Sequence, residues 1–233
     1  MTEEQLNQFI KELKIARDHI LREEAEMDIL QELSRDKLSL KLVFYGGTAM
    51  RLAYNSPRFF EDLDFLAMGK IKFDNFKIFV QNLISQKDNW KLADIKDKRQ
   101  TIFALINIKD SKLKHPFSIK IEIHKPARKP NFKPELLLIQ SPVSVFKPLF
   151  LVPSLKDLKE LKLEAIKNRK KSRDIFDLWF IDSALRQQFE IPIETPDYPR
   201  RLFVNDMQKF LPKNHWKIIE QLYEKINKKN RKN

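Results

Sequence analysis

Apolar residues return at helical spacing through the first stretch of the chain. Leu6, Phe9, Ile10, Leu13, Ala16, Ile20 and Leu21, with charges between them, predict helix from about residue 2 to 34. Leu40 to Tyr45 reads as a buried strand and Thr48 to Tyr54 as a short helix, while Asp62 to Ala67 alternates as a strand does. Phe73 to Ser85 returns to helical spacing through Phe76, Phe79, Val80 and Leu83. Three β-rich stretches follow at Trp90 to Ile95, Thr101 to Ile108 and Phe117 to His124. Pro126, Pro130 and Pro134 punctuate a loop, after which Glu135 to Ile139 and Val143 to Val152 read as edge strands. Pro153-Ser154 opens a helical region that runs, with breaks around residues 188–199, to a Lys/Asn-rich tail. The pattern predicts an α+β fold: a mixed β-sheet core with an N-terminal helical region in residues 1–152, and a mainly helical C-terminal part in residues 153–233.

The chain has only three glycines, and two of them are adjacent, Gly46-Gly47, between the predicted strand and the helix that follows. Bare backbone there lets the chain turn sharply, or lets a ligand approach the peptide N–H groups. The N-terminus of the next helix aims free N–H groups and a positive dipole end at the same spot, which suits an anion such as phosphate. Just beyond, Asp62 and Asp64 share one strand face while Leu63 and Phe65 enter the core. Two carboxylates so close repel, and a divalent cation removes that cost; Mg²⁺ takes few protein carboxylates and keeps positions for water and phosphate oxygens. A later strand places Lys120, Glu122 and His124 on one face and Ile119, Ile121 and Ile123 on the other. Glu122 is thereby a candidate third acid, able to accept a proton or bind a second metal. A solvated strand face would also account for each of these acids taken singly.

A net charge of +13 and a pI near 9.7 favour a polyanionic partner, nucleic acid or an acidic membrane surface, although a lysine-rich coding bias gives the same balance. The absence of cysteine excludes disulfides and thiolate metal sites. Met1-Thr2-Glu3-Glu4-Gln5 lacks the features of a signal peptide, and no apolar run has the length of a membrane span, so a soluble, cytoplasmic protein is expected. The four histidines (His19, His115, His124, His215) form no His-x-x-x-His pair, and there is no P-loop motif.

Gly46-Gly47-Thr48-Ala49-Met50-Arg51-Leu52, followed by Arg58-Phe59-Phe60-Glu61-Asp62-Leu63-Asp64-Phe65, resembles the signature of the AbiEii/MenT nucleotidyltransferase-like toxins, of the DNA polymerase β-type superfamily. Their pattern is Gly-Gly-Thr-Ala-Leu, then Arg-x-Ser-x-Asp-Leu-Asp-Phe. Met50 replaces Leu, and Phe60 replaces Ser and removes a hydroxyl. The resemblance resumes at Lys162-Leu163-Glu164-Ala165-Ile166, Arg169, and Arg173-Asp174-Ile175-Phe176-Asp177-Leu178, and covers roughly residues 40–180.

It implies a nucleotidyltransferase-like core, with the C-terminal part closing the active-site cleft, and a toxin held in check by a DNA-binding antitoxin. The implied reaction is attack by an acceptor hydroxyl on the α-phosphorus of an NTP, releasing pyrophosphate, with tRNA a plausible acceptor. Asp62, Asp64 and Glu122 would hold Mg²⁺, one ion or two; Asp62, Asp64, Glu122, Lys162 and Asp177 would form the catalytic set. Gly46, Gly47, Thr48, Arg58, Lys162, Arg169 and Arg173 would bind the nucleotide. A transferase acting on a small molecule or a protein, and a non-catalytic basic nucleic-acid-binding protein, are the other readings. The charge favours a nucleic-acid acceptor over the first, and the paired aspartates argue against the second.

Periodicity gives the second motif block its own reading. If Leu155 to Phe180 is one helix, Leu158, Leu161, Ala165, Ile166, Phe176 and Phe180 form its buried stripe. Lys162, Arg169 and Arg173 then lie on or beside that stripe, and Lys156, Lys159, Lys167, Lys170 and Lys171 lie outside it. Cations facing inward must pair with carboxylates, as Arg173 could with Asp177, or line a cleft that receives phosphates. Lys162, with no acid three or four residues on, is expected to meet phosphate in a cleft shared with Asp62 and Asp64.

Overall fold

Strict alternation of burial in Phe117–His124 and Thr101–Ile108 makes two strands with one buried apolar face and one more open face, and a mixed sheet grows around them. The computed structural model describes residues 1–128, 130–169, 171–192 and 195–230. Two compact units emerge, Met1–Asn55 with Phe59–Pro153, and Ser56–Arg58 with Ser154–Asn233. Lys170, assigned above to an outer helix face, lies outside the described residues, as do the last three residues of the tail.

The first unit holds α1 (Glu3–Leu13), α2 (Arg17–Arg35), β1 (Leu42–Tyr45), α3 (Gly46–Tyr54), β2 (Asp62–Ala67), α4 (Phe73–Ser85), β3 (Trp90–Asp97), β4 (Thr101–Ile108), β5 (Phe117–His124), β6 (Glu135–Leu138) and β7 (Leu149–Val152). Its seven strands run in the order β3-β4-β5-β2-β1-β7-β6. β2 is antiparallel to β1 and parallel to β5, so the sheet is mixed, as expected. β6 is an edge strand, but β7 lies between β1 and β6; the reading of both segments as edges is corrected for β7. Ile102, Ala104, Ile106, Ile119, Ile121, Ile123, Leu63 and Phe65 are all buried on one face and carry the core. Burial of these apolar side chains is the main stabilising term of the unit.

The predicted helix 2–34 is two helices. A capping box between Thr2 and Gln5 starts α1. Lys14, left-handed at φ 53°, ends it by donating its N–H to Ile10 O. Apolar periodicity carries across this break because Ile15 is itself buried, so spacing alone could not reveal it.

α2 brings an unusual stripe into the interior. His19, Arg22, Glu23 and Glu26, one helical face, are all buried. Glu23 receives Arg51 of α3 in a two-pronged ion pair and the hydroxyl of Ser141 at 2.6 Å, which ties α3 to α2 and to the loop before β7. Oε1 of Glu26 has no hydrogen-bond partner among the described residues. Burial, reinforced by the Glu23 charge, raises its carboxyl well above the usual range. A group whose pKa is raised on folding stabilises below its unfolded pKa and loses that contribution as pH rises through the folded value. Glu26→Gln, which keeps the shape without the charge, should therefore raise stability at neutral pH by about 1 kcal/mol or more. It should also flatten the decline of stability above about pH 5. Urea midpoints of both proteins across pH measure this; an unchanged slope would refute it.

The second unit is helical: α5 (Leu155–Asn168), α6 (Arg173–Ala184), α7 (Arg200–Phe210) and α8 (Lys217–Asn230) surround a separate core of Ile166, Ile175, Phe176, Phe203, Met207 and Leu222. Ser154 caps α5 by accepting the Asp157 N–H. The single helix 155–180 is thus also corrected. α5 ends at Arg169, whose extended backbone (φ −150°, ψ 149°) cannot continue a helix.

Candidate active site

Register fixes what the polar face of the sheet displays. Asp64 stands opposite Tyr45 on β1 and Glu122 on β5. Asp62 stands opposite Lys120. Asp62, Asp64 and Glu122 therefore share a face, as their spacing required. Lys120 places its ammonium 2.5 Å from Glu122 Oε2 and 3.9 Å from Asp62. Burial alone would lower the Lys120 pKa, but the hydrogen bond to Glu122 and the charges of Asp62, Glu122 and Asp64 outweigh it and raise it. A cation is thus drawn into the acid pair, and the hard oxygens of Asp62 and Asp64 fit Mg²⁺ chemically. Among the described residues no three His, Cys, Asp or Glu side chains converge into a metal cluster. Glu122 is turned to Lys120 instead.

The glycine pair lies against these acids. Gly46 has φ +82°, and a Cβ built on it would stand 2.8 Å from Asp64 Oδ2. Both the left-handed backbone and the carboxylate demand glycine. The pair opens α3 rather than preceding it, and the side chain of Tyr45, at the N-cap, makes no capping hydrogen bond. At Gly47 an added Cβ would overlap the ring of Phe60. Thr48, expected to bind nucleotide, is buried and donates its hydroxyl to the Asp62 carbonyl, pinning the first turn of α3 to β2. Arg51 also has a task the motif did not disclose, lying over the Phe59 ring at 3.4 Å while it holds Glu23. The signal was present: polar and charged residues at positions 19, 22, 23 and 26 recur on one helix face.

The second unit carries a separate ionic network. Arg58 grips both oxygens of Asp177 at 2.8 Å. Lys162 reaches Asp177 at 2.5 Å and Asp174 at 3.1 Å, and Arg169 forks onto Asp174 at 2.9 and 2.8 Å. Asp174 and Asp177 are 1% and 0% exposed, so charged partners are obligatory. Burial pushes both carboxyls up, but Lys162 with Arg169 brings Asp174 down to about 2, and Arg58 with Lys162 lowers Asp177.

Three expectations change here. Lys162 lacks an acid one turn away, yet the next helix supplies two, so phosphate is not needed to neutralise it. Arg58 is likewise committed to a carboxylate. Arg173 does not take Asp177; it pairs with Asp206 at 3.5 Å and lies over the Phe210 ring at 4.3 Å. Arg169, its side chain 45% exposed, is the member of this network most open to solvent.

A mixed sheet with paired strand carboxylates beside a glycine-opened helix defines a nucleotidyltransferase-type α+β protein. The profile of one family, nucleotidyl transferase AbiEii toxin of type IV toxin–antitoxin systems, matches residues 28–230, and the chain belongs to that family. It is a nucleotidyltransferase toxin. The structure is similar to JHP933 from Helicobacter pylori (TM-score 0.59, 20% identity, covering 94% of this chain and 97% of that one). It is also similar to MenT4, a nucleotidyltransferase toxin from Mycobacterium tuberculosis H37Rv (TM-score 0.61, 17% identity, covering 96% and 88%). A search of curated proteins finds no significant match. No helix among the described residues is long and apolar enough to cross a membrane.

Gly47→Ala should cost about 1–3 kcal/mol, because its methyl group displaces the Phe60 ring. In a double-mutant cycle with Phe60→Ser the two changes should couple, the pair costing less than the sum of the single losses. Strict additivity of the melting data would show that the ring is not the obstacle.

Asp174 makes the pH test of the second network. A depressed carboxyl stabilises above its unfolded pKa and loses that contribution as pH falls through the folded one, here from about 3.8 to about 2. Asp174→Asn should lose about 2 kcal/mol at neutral pH and show a shallower acid decline below pH 4. Parallel acid-unfolding curves would contradict the assignment.

Proposed function

We propose that this protein transfers a nucleotide from an NTP to an acceptor hydroxyl of RNA, tRNA foremost, in the cytoplasm, and that a DNA-binding antitoxin holds it in check. The observation that carries the reading is Asp64 set directly against Gly46, with Asp62 and Glu122 on the same sheet face. The N–H groups at the start of α3 would meet the triphosphate. Asp62 and Asp64 would hold Mg²⁺, one ion or two, which when bound neutralises the phosphates and polarises the α-phosphorus. Lys120 holds Oε2 of Glu122, leaving Oε1 to take the proton of the attacking hydroxyl as pyrophosphate leaves. Thr48 keeps the glycine turn and β2 in fixed relation. The charge of +13 favours a polyanionic acceptor over a small molecule or a protein.

Incubation with each labelled NTP and total cellular RNA tests this. Label should enter RNA, and a chelator or Asp64→Asn should abolish incorporation. Stability of the variant should stay within about 1 kcal/mol of the parent. Label in protein or small molecules would move the acceptor assignment, and full activity of Asp64→Asn would remove the site.

A further inference from the structure

The polar face of the sheet continues past the acids. Register runs a single row across five strands, Tyr45, Asp64, Glu122, Phe103 and Lys96. Phe103 is half-buried on this face, while its neighbours Ile102 and Ala104 are buried on the other. Strands are about 4.8 Å apart, so the ring stands about 10 Å from Asp64, with Glu122 between them. The ammonium of Lys98 lies 4.6 Å from the ring centroid and that of Lys96 6.0 Å. Around this end of the hairpin, Lys96 pairs with Asp94 at 2.6 Å and Lys125 with Asp97 at 2.5 Å, and Lys98 and Arg99 add the excess positive charge. An aromatic ring flanked by cations is the arrangement that holds single-stranded nucleic acid: bases stack while ammonium groups follow the phosphates.

Resting on the transferase reading above, we infer that Phe103 with Lys96 and Lys98 seats an unpaired base at the end of the acceptor RNA. Direction comes from the reaction. Attacking and leaving oxygens lie on opposite sides of the α-phosphorus. The glycine turn, at the β1 side of the acids, takes the pyrophosphate end. The acceptor hydroxyl must then arrive from the β5 and β4 side, over Glu122, and the first aromatic surface on that side in the row is Phe103. A nucleotide is long enough to place its base there and its hydroxyl at Glu122.

The test is binding of a short fluorescent single-stranded oligoadenylate to the full chain, with NTP binding and melting temperature measured on the same samples. Phe103→Ala should weaken oligoadenylate binding about tenfold or more. Phe103→Trp should retain it. Phe103→Leu, which keeps the apolar surface and protects the fold, should behave as Ala does. Lys98→Ala should make the slope of log affinity against log salt shallower by about 0.7, the share of one neutralised phosphate on a single strand. NTP binding should be the same in all. Oligoadenylate binding that is absent in the parent, or unaltered by Phe103→Ala and Phe103→Leu, would overturn the inference and leave Phe103 as a cross-strand packing residue. The transferase reading is judged separately, by incorporation of label and its loss in Asp64→Asn.

Discussion

The contact of Gly46 with the carboxylate of Asp64 is the constraint around which the first unit is arranged. β1 and β2 pair so that Tyr45 faces Asp64, and the chain must leave β1 at the very next residue. It does so through a left-handed φ of +82°, with Asp64 Oδ2 where a Cβ would crowd it. A side chain there would meet both a backbone penalty and a collision with the carboxylate. Because the turn is that tight, the start of α3 is brought beside the acids, its N–H groups and dipole facing negative charge. The remaining anchors hold this turn from behind: Thr48 on the Asp62 carbonyl, and Arg51 on Glu23.

Charge is handled differently in the second unit. Asp174 and Asp177 are removed from water, and three cations meet them. Lys162 is shared between the two carboxylates, with Arg169 completing the shell of Asp174 and Arg58 that of Asp177. Removing a single partner would expose an unpaired buried charge, a loss larger than the net worth of any one pair. The motif positions Lys162, Arg169, Asp174 and Asp177 are thus bound into one electrostatic unit, and substitution at any of them perturbs the others.

Local pattern carried much of the sheet. β2, β4 and β5, and helix α4, have the bounds that alternation and helical spacing gave. The polar faces of β2 and β5 could be read because the period of a strand is two, and parallel pairing then brought Asp64 to Glu122. Helix ends were hidden for a compositional reason. With so little glycine, the chain places Lys14 and Arg186 in the left-handed region, and neither identity announces a stop; Asn55, a residue that does, follows Tyr54, an end that the spacing located. The ionic network was hidden because its partners are distant in sequence. Arg58 and Asp177 are 119 residues apart, beyond the reach of any helical-wheel argument.

Phe60 separates the duties of the two adjacent glycines. Gly46 is required by its backbone angle and by Asp64, so its need belongs to the acid site. Gly47 is required by the Phe60 ring, which fills the space a side chain would use. In the signature that this segment resembles, serine stands where this chain has Phe60, and a serine hydroxyl is both smaller and polar. The exchange trades a hydrogen-bonding group beside the helix start for apolar contact. The first turn of α3 consequently relies on packing against an aromatic ring. Any anion at this turn must then be held by backbone N–H groups and the helix dipole, without a hydroxyl from position 60.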